Sequence, residues 1–117
     1  MVINEVLRDD DVQEKSDFID LFVRYMDTNL TVFFKKQSDI AVADSIIELF
    51  RNRENIENFN KKALYIMIRD RTGVKTQYIT RVVNTIKTIY MEMYTNYRRT
   101  GTMFLNLEKY KKSEFLD

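Results

Sequence analysis

The chain has no cysteine, no histidine and no proline, and its 117 residues include only two glycines, Gly73 and Gly101. Without cysteine there are no disulfides and no thiolate chemistry. Without histidine the usual zinc sites and histidine general bases are also excluded. So few backbone breakers cannot serve the many tight turns of a β-sandwich, and an all-helical protein with short connections follows. Tryptophan is absent too, and the aromatic content comes from eight Phe and seven Tyr. No apolar run is long enough to span a bilayer, and Met1-Val2-Ile3-Asn4-Glu5 lacks the pattern of a signal peptide. A soluble, cytoplasmic or nucleoid-associated chain without cofactor or metal is the expectation. Richness in Ile, Asn, Lys and Tyr is the usage of an AT-rich genome, as in many viruses and mobile elements.

The net charge of +1 hides a segregation. Residues 1–59 carry thirteen acids against seven bases, whereas residues 60–101 carry nine bases against two acids, Asp70 and Glu92. A basic block beside an acidic one suggests that one face meets a polyanion and the other does not. With 44% hydrophobic residues the chain can bury one core.

Residues 1–15, centred on Asp9-Asp10-Asp11, read as an acidic arm ahead of a single helical domain over 16–117. Ser16 or Asp17 is placed to cap a first helix bearing Phe18, Phe22, Tyr25 and Met26. Ser38 is placed to cap a second, with Val42, Ile46, Ile47 and Leu49 inward. Between them, Leu30 to Phe34 either continues the first helix or forms a turn of its own. Asn58 or Asn60 opens a third helix, which Gly73 ends. Thr76 caps a fourth, where Ile79, Val82, Val83, Ile86, Ile89, Tyr90, Met93 and Tyr97 recur at the helical period until Gly101. Residues 102–107 read as a short strand and 108–116 as a terminal helix. The sum is a compact all-α domain of four to five helices, with a short β wing after residue 98.

The segment from Ile68 to Asn84 resembles a helix-turn-helix, and the motif with its flanks occupies residues 60–97. Gly73 fills the turn, Val74 locks the helices together, and Ile68, Ile79, Val82 and Val83 face inward. Two positions depart from the family pattern. Arg69 stands where a small residue is usual, and Thr72 is more polar than the position commonly is. The resemblance implies a recognition helix whose outward residues read base edges. Gln77 and Asn84 suit adenine, Arg81 suits guanine, and Lys75, Thr76 and Thr80 complete the face. Lys61, Lys62, Lys87, Arg98 and Arg99 would hold phosphates. The plainer alternative for the face is a solvated helix surface. For Arg98 and Arg99 it is complementation of a helix dipole.

Three further features have two readings each. Tyr90, Met91, Met93, Tyr94 and Tyr97 form an apolar patch that is either core or a homodimer contact. The ending Ser113-Glu114-Phe115-Leu116 resembles the sliding-clamp-binding tails of bacteriophage late-transcription proteins. Phe115 and Leu116 are then partner-binding, or else they dock into the chain's own core. Asp9, Asp10 and Asp11 are adjacent on the chain and do not converge on a metal; Asp17 and Asp20 read as helix-end acids. No glycine-rich phosphate loop and no nucleophile–base spacing is present, so a non-enzymatic protein is expected. A small DNA-binding transcription regulator is the leading reading. An adaptor for a transcription or replication protein, such as RNA polymerase or a sliding clamp, is the other, in which the acidic N-terminal half meets a basic partner and the hairpin is only scaffold.

Overall fold

Scarcity of breakers becomes length of helix. The computed structural model describes residues 9–103, 105–108 and 110. Its α-helices are α1 (Asp9–Asp27), α2 (Leu30–Phe33), α3 (Gln37–Arg51), α4 (Lys61–Thr72) and α5 (Thr76–Thr100), with a 3₁₀ turn at Arg53–Asn55. The all-α class therefore holds. Among the described residues no helix is long and apolar enough to cross a membrane.

Several ends differ from expectation. The first helix is already formed at Asp9, so neither Ser16 nor Asp17 caps it. Ser16 sits inside the helix, where its carbonyl and hydroxyl accept from Arg53 Nη2 at 3.3 and 3.2 Å. Asp17 accepts from Gln13 one turn earlier, at 2.8 Å. Ser38 does not cap α3, because Lys36 occupies the N-cap and no side chain caps it. Thr76 is likewise the first residue of α5 rather than its cap, which is Lys75. Asn60 does cap α4, its side-chain oxygen accepting from the Ala63 N–H at 2.9 Å. Gly73 (φ 70°) and Gly101 (φ 78°) end α4 and α5 in the left-handed conformation.

The expected strand and β wing after residue 98 are not formed; no strand occurs among the described residues. α5 stays helical to Thr100, and the turn after it is held by threonine hydroxyls. Thr100 Oγ pairs with Thr102 Oγ at 2.8 Å and accepts the Thr102 N–H at 3.2 Å. An isolated strand here would leave its backbone groups without a ladder. Phe115 and Leu116 lie outside the described residues, as do residues 1–8.

α3 is the hub of the core, in contact with α1, α2, α4 and α5. Its Val42, Ala43, Ile46, Ile47 and Leu49 are buried. They meet Phe18, Phe22 and Met26 from α1, Ile68 from α4, and Ile79, Val82, Ile86, Ile89 and Met93 from α5 in one apolar cluster. At 1.5 Å per residue α5 is about 37 Å long. Its two halves therefore meet different neighbours. The C-terminal half receives α1, and the N-terminal half receives α4.

The apolar patch on the C-terminal half is mostly spent inside the molecule. Phe18 lies 5.3, 5.1 and 5.2 Å from the rings of Tyr90, Tyr94 and Tyr97. Met93 is fully buried, while Met91 remains 56% exposed.

Candidate nucleic-acid interface

α4, Gly73 and α5 form the hairpin that the sequence suggests, and its turn is closed by local chemistry. The Gly73 N–H donates to the Arg69 carbonyl at 2.8 Å. The Thr72 hydroxyl donates to the Ile68 carbonyl at 2.7 Å and accepts the Val74 N–H at 3.2 Å. The polarity of Thr72 thus serves the turn. Val74 is half-buried and packs against the core cluster.

Between α4 and α5 lies a groove of about 540 Å³, lined by Lys61, Lys62, Tyr65, Ile66, Arg69, Thr76 and Thr80. No carboxylate lines it. A smaller hollow of about 230 Å³ continues past Gly73, between Arg69, Asp70 and Lys75. Lys61, Tyr65 and Arg69 recur every four residues, so α4 presents them as one stripe. This explains why Arg69 is tolerated where a helix-turn-helix usually has a small residue. Arg69 is exposed and faces the groove, where the two helices stand apart. Arg69 was missed as a candidate site residue, although its spacing from Lys61 and Tyr65 was visible in the sequence.

The expected recognition face is divided three ways. At 100° per residue, with Ile79 set at zero, Gln77 and Asn84 lie at about 160° and 140°. These two are exposed and lie roughly opposite the buried seam of Ile79, Val82, Ile86, Ile89 and Met93, which centres at about 320°. Thr80 lies at about 100° and leans toward α4. It is half-buried, and its Oγ accepts from the Tyr65 hydroxyl at 3.1 Å. Arg81 lies at about 200° and leans the other way, toward α3. Its Nη2 donates to both oxygens of Asp39, at 2.9 and 3.1 Å. The guanidinium also lies over the Tyr78 ring, 5.5 Å from its centroid. Arg81 still keeps 48% of its side chain exposed, against 12% for Asp39. Asp39 was invisible to sequence reasoning because it is 42 residues away along the chain.

Lys75 and Thr76 stand at the start of α5, both exposed. No side chain caps α5; the Tyr78 N–H donates to the Lys75 carbonyl at 3.0 Å, and the Thr76 and Gln77 N–H groups ahead of it are left for solvent or an anion. Lys87 is exposed further along α5, on the flank that faces α4. Among the described residues Lys61, Lys62, Arg69, Arg71, Lys75 and Lys87 form no ion pair. Lys61 lies over the Tyr65 ring at 5.9 Å.

Arg98 and Arg99 do not join this cluster. They occupy the last turn of α5, about 26 Å along the axis from Arg81. Arg98 Nε reaches Glu14 at 3.4 Å, and Arg99 Nη2 donates to Asn96 Oδ1 at 2.8 Å. Among the described residues the acidic half of the chain takes two of the nine bases of the basic block, Arg81 through Asp39 and Arg98 through Glu14. It also neutralises two of its own arginines, Arg51 and Arg53. Arg53 pairs with Asp20 at 2.9 Å, and Arg51 pairs with Asp27 and Glu48. Hydrogen bonding to Asp27 is the leading cause that pushes the Arg51 guanidinium up from its ordinary value.

Among the described residues no group of three or more His, Cys, Asp or Glu is placed to hold a metal ion. No protein-family model, no curated protein and no solved structure matches this chain.

Proposed function

We propose that the chain binds double-stranded DNA through the α4–α5 hairpin, as a small helix-turn-helix transcription regulator. The observation that carries this reading is the groove between α4 and α5. It has three cations on its walls and no carboxylate among them, and Gln77 and Asn84 stand exposed on the helix that forms one wall. Lys61, Lys62, Arg69 and Lys75 then follow phosphates, while Gln77 and Asn84 face base edges in the major groove. The test is fluorescence anisotropy with a short random-sequence duplex across a salt series. Four neutralised phosphates give a slope of about −3.6 in log affinity against log salt. No binding at low salt overturns the reading.

A second reading rests on Ile66, which is 52% exposed within the same groove. Its branched apolar side chain, set between cations, suits an acidic protein segment with an apolar anchor. On that reading the chain is an adaptor for a transcription or replication protein. Ile66→Ser separates the two. It leaves the DNA salt slope unchanged in the first and abolishes partner capture in the second.

A further inference from the structure

Arg81 is the natural guanine reader of the hairpin, yet the structure has it already engaged. Its Nη2 is shared between Asp39 Oδ1 and Oδ2. A guanidinium offers two edges with paired donors, Nη1–Nη2 and Nε–Nη2, and both include Nη2. While Asp39 holds one N–H of that atom, its carboxylate engages one of the two edges and neutralises the guanidinium, so a guanine or a phosphate has to compete with Asp39 for the arginine. Asp39 is itself buried in the first turn of α3, and its carboxylate has no partner besides Arg81 among the described residues. Arg81 is half-exposed and needs only a side-chain rotation to leave.

We infer that Asp39 is a specificity-determining residue: it latches Arg81 away from non-specific DNA and yields it only where a correctly placed guanine outcompetes a carboxylate. This rests on the proposed DNA-binding function. A phosphate meeting the face at random offers a charge that Asp39 already supplies at shorter range and lower exposure. A base-pair edge in register adds hydrogen bonds in fixed directions. The latch therefore lowers affinity for random sequence and leaves the cognate contact available.

The experiment is a two-by-two set of variants: wild type, Asp39→Asn, Arg81→Gln and the double variant. Each is titrated with a random-sequence duplex across a salt series, after a urea melt has shown a cooperative fold. Asn preserves the shape of Asp39 and still accepts a hydrogen bond. Asp39→Asn is expected to steepen the salt slope by about 0.9, an affinity gain of about eightfold for each tenfold dilution of salt. Arg81→Gln alone is expected to leave the slope at its wild-type value, because the latched arginine contributes no contact to random DNA. In the Arg81→Gln background the Asp39→Asn gain should vanish, which assigns it to Arg81 rather than to loss of a repelling charge. If Asp39→Asn fails to fold, Asp39→Ser is the substitute. Binding by wild type with no change of slope in Asp39→Asn overturns the latch and leaves the DNA reading standing. A loss of affinity in Asp39→Asn also overturns it, since Asp39 would then position Arg81 for binding. Absence of binding by wild type and all variants overturns both.

Discussion

The two halves of α5 hold the molecule together in different ways. At the C-terminal half, α1 drives Phe18 into a nest of Tyr90, Tyr94 and Tyr97, with Phe22 stacked beside it and 5.2 Å from Tyr90. At the N-terminal half, α4 contributes one fully buried side chain, Ile68. Tyr65, Leu64 and Met67 are only half-buried there, and Ile66 is exposed. Buried rings contribute large areas removed from water, so the first end carries much of the folding free energy. The second end has spent less of its surface on the core, and Lys61, Lys62, Arg69 and Lys75 there form no ion pair among the described residues, whereas Arg81 is held by Asp39. Aromatic packing and the basic surface are thus separated along a single helix.

The largest effect should come from the aromatic end. Phe18 is fully buried and contacts four other rings. Phe18→Ala should cost about 3–5 kcal/mol and lower the urea midpoint of the whole protein. A loss below 1 kcal/mol would mean that the nest is not the principal source of stability, and the comparison would collapse.

Alkaline pH acts on the same end. Burial, and then the neighbouring Glu92 carboxylate, push the Tyr110 phenol up from 10.0 to about 12. Its hydroxyl donates to Glu92 Oε1 at 3.1 Å, and its ring lies 5.2 Å from Phe33. Burial also raises Tyr90 and Tyr25. Between pH 10 and 12 an unfolded Tyr110 releases its proton while the folded one keeps it. The folded state then binds more protons than the unfolded state, so stability falls as pH rises through that window. For Tyr110 the loss is on the order of 2 kcal/mol at full titration. Stability measured by urea melts at pH 9 and pH 11.5 should differ in this direction. Equal midpoints would show that the tyrosines titrate alike in both states.

The hairpin turn should be less costly to disturb than the aromatic end. Gly73 has φ 70°, and nothing lies within 4 Å of where a Cβ would stand. The cost of a side chain is therefore one of backbone conformation rather than collision. Gly73→Val should cost about 1–2 kcal/mol, since a β-branched residue resists the left-handed region. Because the hairpin positions both walls of the groove, this variant should also weaken DNA binding at temperatures well below its melt. An unchanged melting temperature would mean that the turn relaxes freely and that the hairpin is not held by it.

The two ends also differ in how plainly they could be read from sequence. The hairpin is local chemistry. Asn60, Gly73, Val74 and Gly101 act through neighbours a few residues away, and their roles follow from capping and from left-handed turns. The seam of Ile79, Val82, Ile86, Ile89 and Met93 follows equally from helical period. The aromatic nest was only half legible. The tyrosines of α5 stood out as a patch, but nothing in the spacing of α1 shows that Phe18 fills it. The Asp39–Arg81 and Glu14–Arg98 pairs were hidden for the same reason, since each joins residues far apart along the chain. The start of α1 was misplaced because Ser16 satisfies the local preference for a cap, yet the chain uses it to receive Arg53. Within the candidate site, Lys61, Lys62, Lys75, Thr76, Gln77 and Asn84 fall at or beside one groove. Thr80 and Arg81 are drawn into tertiary hydrogen bonds that no local rule encodes, and Arg98 and Arg99 lie at the far end of α5.

The smallest effect should sharpen the comparison most. Asn60 caps α4 through its bond to the Ala63 N–H, and it is exposed, so its removal opens no cavity. Asn60→Ala should cost about 1 kcal/mol, the usual value of a lost N-cap. What matters is where that cost appears. α4 has a single fully buried residue, so its first turn should open locally before the rest of the protein unfolds. Amide hydrogen exchange should therefore show loss of protection across residues 63–68 while α1 and the C-terminal half of α5 keep theirs. Binding to random duplex DNA should weaken as well, because Lys61 and Lys62 sit on the turn that frays. Should protection fall evenly across all the helices instead, the basic hairpin and the aromatic end form one cooperative unit. The division of labour along α5 would then be a matter of surface chemistry alone, with no counterpart in local stability.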